Sequence, residues 1–216
     1  MTNAQTPRIK VWDSFIRLYH WLMVGLFGAL WWSGDNGEMS LHINFAIALA
    51  ALLVVRIGWG FFGSKNIRFS YFLRSPTVIP RHATALVKRR YRNGDTHNAA
   101  GGWSVFALLL ILLAQITTGL FSSDGILFSG PLAGYVSSDI VDAATDWHKA
   151  QFNWILGLVG LHIIAIVIYR LYGVPLLGAM ITGYRHSKAG QPDLKPGWQA
   201  MLLSVAVWFI LYLLLT

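Results

Sequence analysis

The chain of 216 residues contains no cysteine. Disulfides, iron–sulfur ligation and covalent haem attachment through a CxxCH motif are therefore excluded. Any redox centre must be held without a covalent bond. Charge is scarce as well: 12% of the residues are charged, against about 25% in a soluble domain. Acid is scarcer than base, with 9 Asp and Glu against 17 Lys and Arg. No Asp or Glu falls inside any long apolar stretch. Proton pumps and ion-coupled carriers usually need carboxylates at membrane depth, so a transporter is disfavoured. A zinc site also fares badly, because it wants three or four ligands converging at one depth.

What the chain does have is apolar length. Hydrophobic residues make up 55% of it, and the mean hydropathy is +0.52. Five stretches, near 15–33, 41–63, 103–121, 148–172 and 198–215, approach the roughly 20 residues that cross a bilayer. Little is left for a soluble domain, so the expectation is one all-α integral membrane domain over 1–216. The first stretch follows Arg8 and Lys10 as a signal peptide would. It ends, however, in Trp31-Trp32-Ser33-Gly34 rather than a cleavage site, and it contains His20, so it reads as a retained helix. Tryptophans such as Trp12, Trp59, Trp103, Trp147 and Trp198 sit near the ends of these stretches, where indole rings favour headgroup depth.

The net charge of +8 follows the membrane rather than a nucleic acid. Of the 17 Lys and Arg residues, all but Lys149 lie on the side of the amino terminus. The acidic Asp35, Glu38, Asp124, Asp139, Asp142 and Asp146 lie on the other side. The positive-inside rule makes the amino-terminal side cytoplasmic and, after five spans, the carboxy terminus periplasmic. The linker 64–102 carries much of the basic charge. Within it, Arg81–Arg90 reads as a short basic helix lying on anionic lipid.

Of the seven histidines, four stand inside or at the mouth of apolar stretches. His148 and His162 are fourteen residues apart, close to four turns, so they share a helix face at a spacing of roughly 21 Å along the axis. Threading the topology puts His42 and His148 toward the outside, and His20 and His162 toward the inside. Intramembrane imidazoles are costly and default to function. Two opposed histidines at equal depth supply the axial ligands of an electron-transferring b haem. Two such pairs predict two non-covalent haems, with His20, His42, His148 and His162 as the iron ligands. His82 and His186 fall in basic segments as ordinary solvated residues. His97 is intermediate and could face a haem propionate or a quinone headgroup.

Ordered motifs add a family resemblance. Arg17-Leu18-Tyr19-His20-Trp21 resembles the R-x-x-H-W opening of bacterial cytochrome b561, a class related to the b-type cytochrome subunit of nickel–iron hydrogenases. Arg56–Gly63, Arg68-Phe69, Ser75-Pro76, the HNPxGG-like His97–Gly102 with Ala99 in place of proline, Thr118-Gly119, Leu161-His162 and Ala179–Gly183 follow in order. The resemblance covers most of residues 8–185. It implies a four-helix bundle holding two b haems on the same four histidines, so that 198–215 becomes a fifth, additional span. It further implies electron exchange with the quinone pool and with a partner such as a periplasmic c-type cytochrome or a dehydrogenase subunit. Arg17 and Arg56 lie near inner-haem depth and are candidates to bind propionates.

The expected function is a bacterial inner-membrane cytochrome that passes electrons between quinone and a periplasmic redox partner. For a proton acceptor beside a quinol, His97 is the inner candidate, and Asp142 or Asp146 the outer one. Three alternatives stand beside it: a superoxide oxidase delivering electrons to quinone, a cytochrome subunit of a hydrogenase or dehydrogenase complex, and a structural anchor. Acidic outer loops favour a positively charged protein partner over an anionic reductant.

Overall fold

A lipid-facing segment can satisfy its own N–H and C=O groups only by winding into a helix or closing a barrel. The long Leu, Ile, Val and Ala runs of this chain, free of proline, take the first course. The computed structural model describes residues 7–73, 75–80, 84, 88, 99–126, 128–187 and 190–216. In chain order the elements are β1 (Arg8–Lys10), α1 (Ser14–Asp35), α2 (Met39–Phe62), the single turn α3 (Phe69–Phe72), α4 (Ala99–Phe121), α5 (Ser138–Leu171), α6 (Leu176–Thr182), β2 (Tyr184–His186) and α7 (Trp198–Leu215).

Four helices, α2, α4, α5 and α7, are long and apolar enough to cross a membrane, which makes this an all-helical membrane protein. Their ends agree with the expected spans to within a few residues, with one exception. α5 begins ten residues before the expected start at 148. Hydropathy registers only the apolar part of a helix, whereas Ser138–Trp147 holds no Gly or Pro to stop it. Asp139 lies in its first turn, where a carboxylate complements the positive end of the helix dipole. Asp139, Asp142 and Asp146, expected in a loop, are therefore helical and exposed. α1 is a 22-residue helix where the first span was expected. It is not among the four apolar helices, since Arg17, His20, Trp21, Trp31 and Trp32 dilute its hydropathy. Of the expected basic helix over Arg81–Arg90, only Thr84 and Lys88 are described. Lys88 N donates to the Thr84 carbonyl, the spacing of one helical turn.

The chain folds as two units. One comprises the described residues of 1–20, 56–105 and 162–202. In it β1 pairs antiparallel with β2, setting Ile9 opposite Arg185. Gly183 ends α6 with φ +83°, a left-handed conformation that glycine adopts without strain. Its N–H returns to the Ala179 carbonyl at 2.8 Å, and its own carbonyl accepts the Val11 N–H at 2.8 Å. That turn fastens the amino-terminal strand to the end of α6.

The same unit is organised around a buried carboxylate. Asp13 caps α1 by accepting the Ile16 N–H at 2.8 Å. Its second oxygen accepts the Ser64 hydroxyl at 2.6 Å and the Trp59 indole N–H at 3.3 Å. Ser64 Oγ in turn accepts the Lys195 N–H at 3.0 Å. Phe15, Ile67 and Phe72 are fully buried in the same unit, and the Phe15 ring centroid is 5.9 Å from that of Trp59.

The other unit comprises residues 21–55, 106–161 and 203–216. Phe152 of α5 packs on Phe27 and Trp31 of α1, with ring centroids 6.2 and 5.6 Å away. The loop after α4 is wound tightly. The Asp124 carboxylate accepts the N–H groups of Ile126 and Phe128, at 2.9 and 2.8 Å, and Ser123 pairs with Ser129. Thr145 of α5 holds this loop by accepting the Ser123 N–H at 3.0 Å.

Asp13→Ala removes a helix cap and the acceptor for two further donors. It is expected to cost about 2–3 kcal/mol, since a lost cap and an unsatisfied buried donor each cost of order 1 kcal/mol or more. Thermal unfolding of the purified protein in detergent measures this, and an unchanged midpoint would refute it.

Candidate functional site

His42 lies in the first turn of α2, and His148 lies ten residues into α5. Both belong to the second unit and both are half-buried. Their ring centroids are 6.3 Å apart, and the ring planes cross at 77°. A ring nitrogen stands about 1.1 Å from its centroid and about 2.0 Å from a metal, so two imidazoles on opposite sides of one ion hold their centroids about 6 Å apart. The pair has that spacing.

Hydrogen bonding fixes which nitrogen of each ring is available. His42 Nδ1 lies 3.0 Å from the Leu30 carbonyl and 3.2 Å from Ser33 Oγ. A carbonyl only accepts, so Nδ1 carries the proton and Nε2 keeps its lone pair. Ser33 gives its own proton to the Leu30 carbonyl at 3.2 Å. The same pattern recurs at His148, whose Nε2 lone pair meets the Gln115 side-chain amide at 3.3 Å. Its Nδ1 donates to the Gln115 carbonyl at 2.9 Å, with Thr118 Oγ1 at 3.3 Å. Metal-bound histidines almost always donate their second ring nitrogen to a carbonyl or carboxylate in this way, which orients the ring and raises its basicity.

Space around both rings is kept by glycine. A Cβ on Gly34 would stand 3.3 Å from the His42 ring, and one on Gly119 would stand 2.9 Å from His148 Cε1. Among the described residues no cluster of three or more His, Cys, Asp or Glu forms. A pair of imidazoles is too few for zinc but enough for an ion that brings its own equatorial ligands, as haem iron does. The residues present therefore fit a haem.

His20 of α1 and His162 of α5 both belong to the first unit and are half-buried. In the same unit, Tyr19, next to His20 in α1, and Arg56 of α2 are both buried. The Arg56 guanidinium lies 5.7 Å from the Phe69 ring centroid. Arg56 Nη1 is buried and finds no hydrogen-bond acceptor. A buried donor of a charged group left without a partner is costly, and it points to an anion. A carboxylate such as a haem propionate matches it.

The remaining candidates sort as follows. Arg17 is half-buried and donates through Nη2 to the Ile181 carbonyl near the end of α6, a favourable place for a cation. Asp142 and Asp146 are exposed on α5 ahead of His148. His186 is in β2, opposite Arg8. His97 and His82 lie outside the described residues.

Sequence reasoning missed Ser33, Gln115 and Thr118, which address the two rings, and Asp13, which anchors α1. A signal existed for some of them. Gln115 is a lone carboxamide within an apolar run, and polar residues in membrane helices tend to face protein partners.

Gly119→Ala is expected to push the His148 ring off the Gln115 carbonyl and so weaken any metal held by the pair. Gly157→Ala, where a Cβ meets nothing within 4 Å, is the control. The Soret absorbance per polypeptide distinguishes them; equal absorbance in both variants would contradict the close approach.

The family model described as prokaryotic cytochrome b561 matches residues 11–183, most of the chain, with α7 outside the match. Among curated proteins none matches the chain.

Proposed function

Since the chain belongs to the prokaryotic cytochrome b561 family and is a membrane b-type cytochrome of electron transfer, we propose that it binds two b haems and relays electrons between the quinone pool and a periplasmic redox partner. The His42–His148 pair carries this reading: two imidazole rings whose centroids stand 6.3 Å apart, close to the spacing of a bis-imidazole metal centre, each with Nδ1 already tied to a carbonyl. A bound haem supplies a one-electron iron couple.

The residues then divide the work. His42 and His148 would hold the outer haem, and His20 and His162 the inner one. Haem held in this way would supply one-electron chemistry, so the chain would move electrons without breaking a substrate bond. Arg56 Nη1 would bind a propionate of the inner haem, and Arg17 would offer its donors beyond the Ile181 bond for the same purpose. His97, two residues ahead of α4 in the sequence, would take a proton from quinol or bind its headgroup. Asp142 and Asp146 are the acceptors if quinol docks on the outer side.

In this reading α1 and α7 cross the bacterial inner membrane together with α2, α4 and α5. The amino terminus is cytoplasmic and the carboxy terminus periplasmic. α1 tolerates its polar residues because they serve cofactors rather than lipid. The exposed Asp139, Asp142 and Asp146 support a basic protein partner over superoxide, which an acidic surface repels.

Purified protein is expected to carry two b haems per chain by pyridine haemochrome assay, both reducible by quinol. His42→Ala or His148→Ala should remove one haem, and His20→Ala or His162→Ala the other. Fewer than two haems in the unaltered protein, or retention of both in any of these variants, would overturn the reading.

A further inference from the structure

The strands β1 and β2 lie just outside residues 11–183, one at each end of the family match, and pair with each other. Their register divides the ribbon into two faces. Ile9 and Arg185, opposite one another, are buried. Arg8 opposite His186, and Lys10 opposite Tyr184, share the other face. On that face Arg8, Tyr184 and His186 are exposed, and Lys10 is partly so. The Arg8 guanidinium lies 4.7 Å from the Tyr184 ring centroid, a contact that orders the side chain without neutralising its charge.

The chain leading into this ribbon is apolar and exposed. α5, long and apolar enough to cross a membrane, ends at Leu171, and α6 begins five residues later. Leu171 is 77% exposed. Leu177 and Ile181, one turn apart on α6, are 50% and 52% exposed, while Ala179 between them is buried. A seven-residue helix is too short to stand alone. It is held by the Gly183 turn and by Arg17, which donates to the Ile181 carbonyl. Aliphatic groups fixed on a segment too short to span would face water unless a lipid surface met them. No acidic residue occurs in β1, α6 or β2. Aliphatic side chains, then a tyrosine, then cations follow one another in the order in which a bilayer presents acyl chains, headgroups and phosphate.

We infer that α6 and the β1–β2 ribbon form an interfacial foot that binds anionic phospholipid. Leu177 and Ile181 enter the boundary of the acyl region, Tyr184 sits among the headgroups, and Arg8 and Lys10 take the phosphate. A zwitterionic headgroup carries its own cation, which competes with Arg8 and Lys10, so the foot selects lipids of net negative charge. Each Lys or Arg at such a surface strengthens the attachment roughly fivefold. The foot belongs wholly to the first unit and requires no cofactor.

Because the chain has no cysteine, a spin label at Leu177→Cys is specific. In full-length protein reconstituted into nanodiscs of phosphatidylglycerol and phosphatidylcholine, this label is expected to collide with oxygen more often than with a water-soluble nickel chelate. Native mass spectrometry of the unlabelled protein, titrated with both lipids in detergent, should show phosphatidylglycerol retained over phosphatidylcholine. Arg8→Gln with Lys10→Gln should weaken that retention roughly 25-fold, as two losses of about fivefold each. Lys149→Gln, in the second unit, should leave it unchanged. Should loss of Arg8 unpair the strands, Lys10→Gln alone carries the test, with a loss of about fivefold. A label dominated by nickel collisions, undiminished retention in the Arg8 and Lys10 variants, or an equal loss in Lys149→Gln would overturn the inference. So would displacement of phosphatidylglycerol by inorganic phosphate, which would make the ribbon a site for the free anion.

Discussion

An imidazole in a membrane helix presents two nitrogens to a medium with no water to satisfy them. The architecture around His42 and His148 depends on how this is resolved. One nitrogen of each ring is spent on a backbone carbonyl, Leu30 in one case and Gln115 in the other, and the second is thereby left as a lone pair. The carbonyls that accept these protons belong to helices α1 and α4, so the bonds join elements distant in sequence. A single donor–acceptor choice thus fixes tautomer, ring direction and helix pairing together.

The first unit solves a different electrostatic problem. A carboxylate, a guanidinium and a phenol are all buried within the reach of α1, α2 and the segment after α2. Asp13 is saturated by three donors, so its charge is tolerated. Arg56 is not saturated, and the contrast between the two is informative. A fully bonded buried charge reads as architecture, whereas one with an open donor reads as a receptor. The aromatic ring of Phe69 softens the desolvation of Arg56 without supplying an anion.

Much of this was legible in the chain itself. Hydropathy located α2, α4 and α7 within a few residues because lipid-facing helices must be apolar along their whole length. It failed on the amino-terminal end of α5 for the same reason in reverse: where a helix extends beyond an apolar span, nothing requires it to be apolar, and Ser138–Asp146 looks like loop by composition alone. Charge asymmetry and spacing paired His42 with His148 and His20 with His162, and each pair falls within one unit of the structure. The supporting groups were not legible. Leu30 and Gln115 act through backbone carbonyls, which every residue has, so no side-chain pattern marks them. Asp13 lay just ahead of an apolar run in the position of a helix cap, a signal that charge counting passed over.

The length of α5 has one more consequence. Its 34 residues span about 51 Å, against a hydrocarbon thickness of about 30 Å. No glycine or proline interrupts it between Ser138 and Leu156. The water-exposed end and the turn that bears His148 are therefore one stiff rod, and Thr145 braces that rod against the neighbouring loop. A force applied at Asp139 reaches the imidazole as a lever arm transmits torque, with no joint to absorb it.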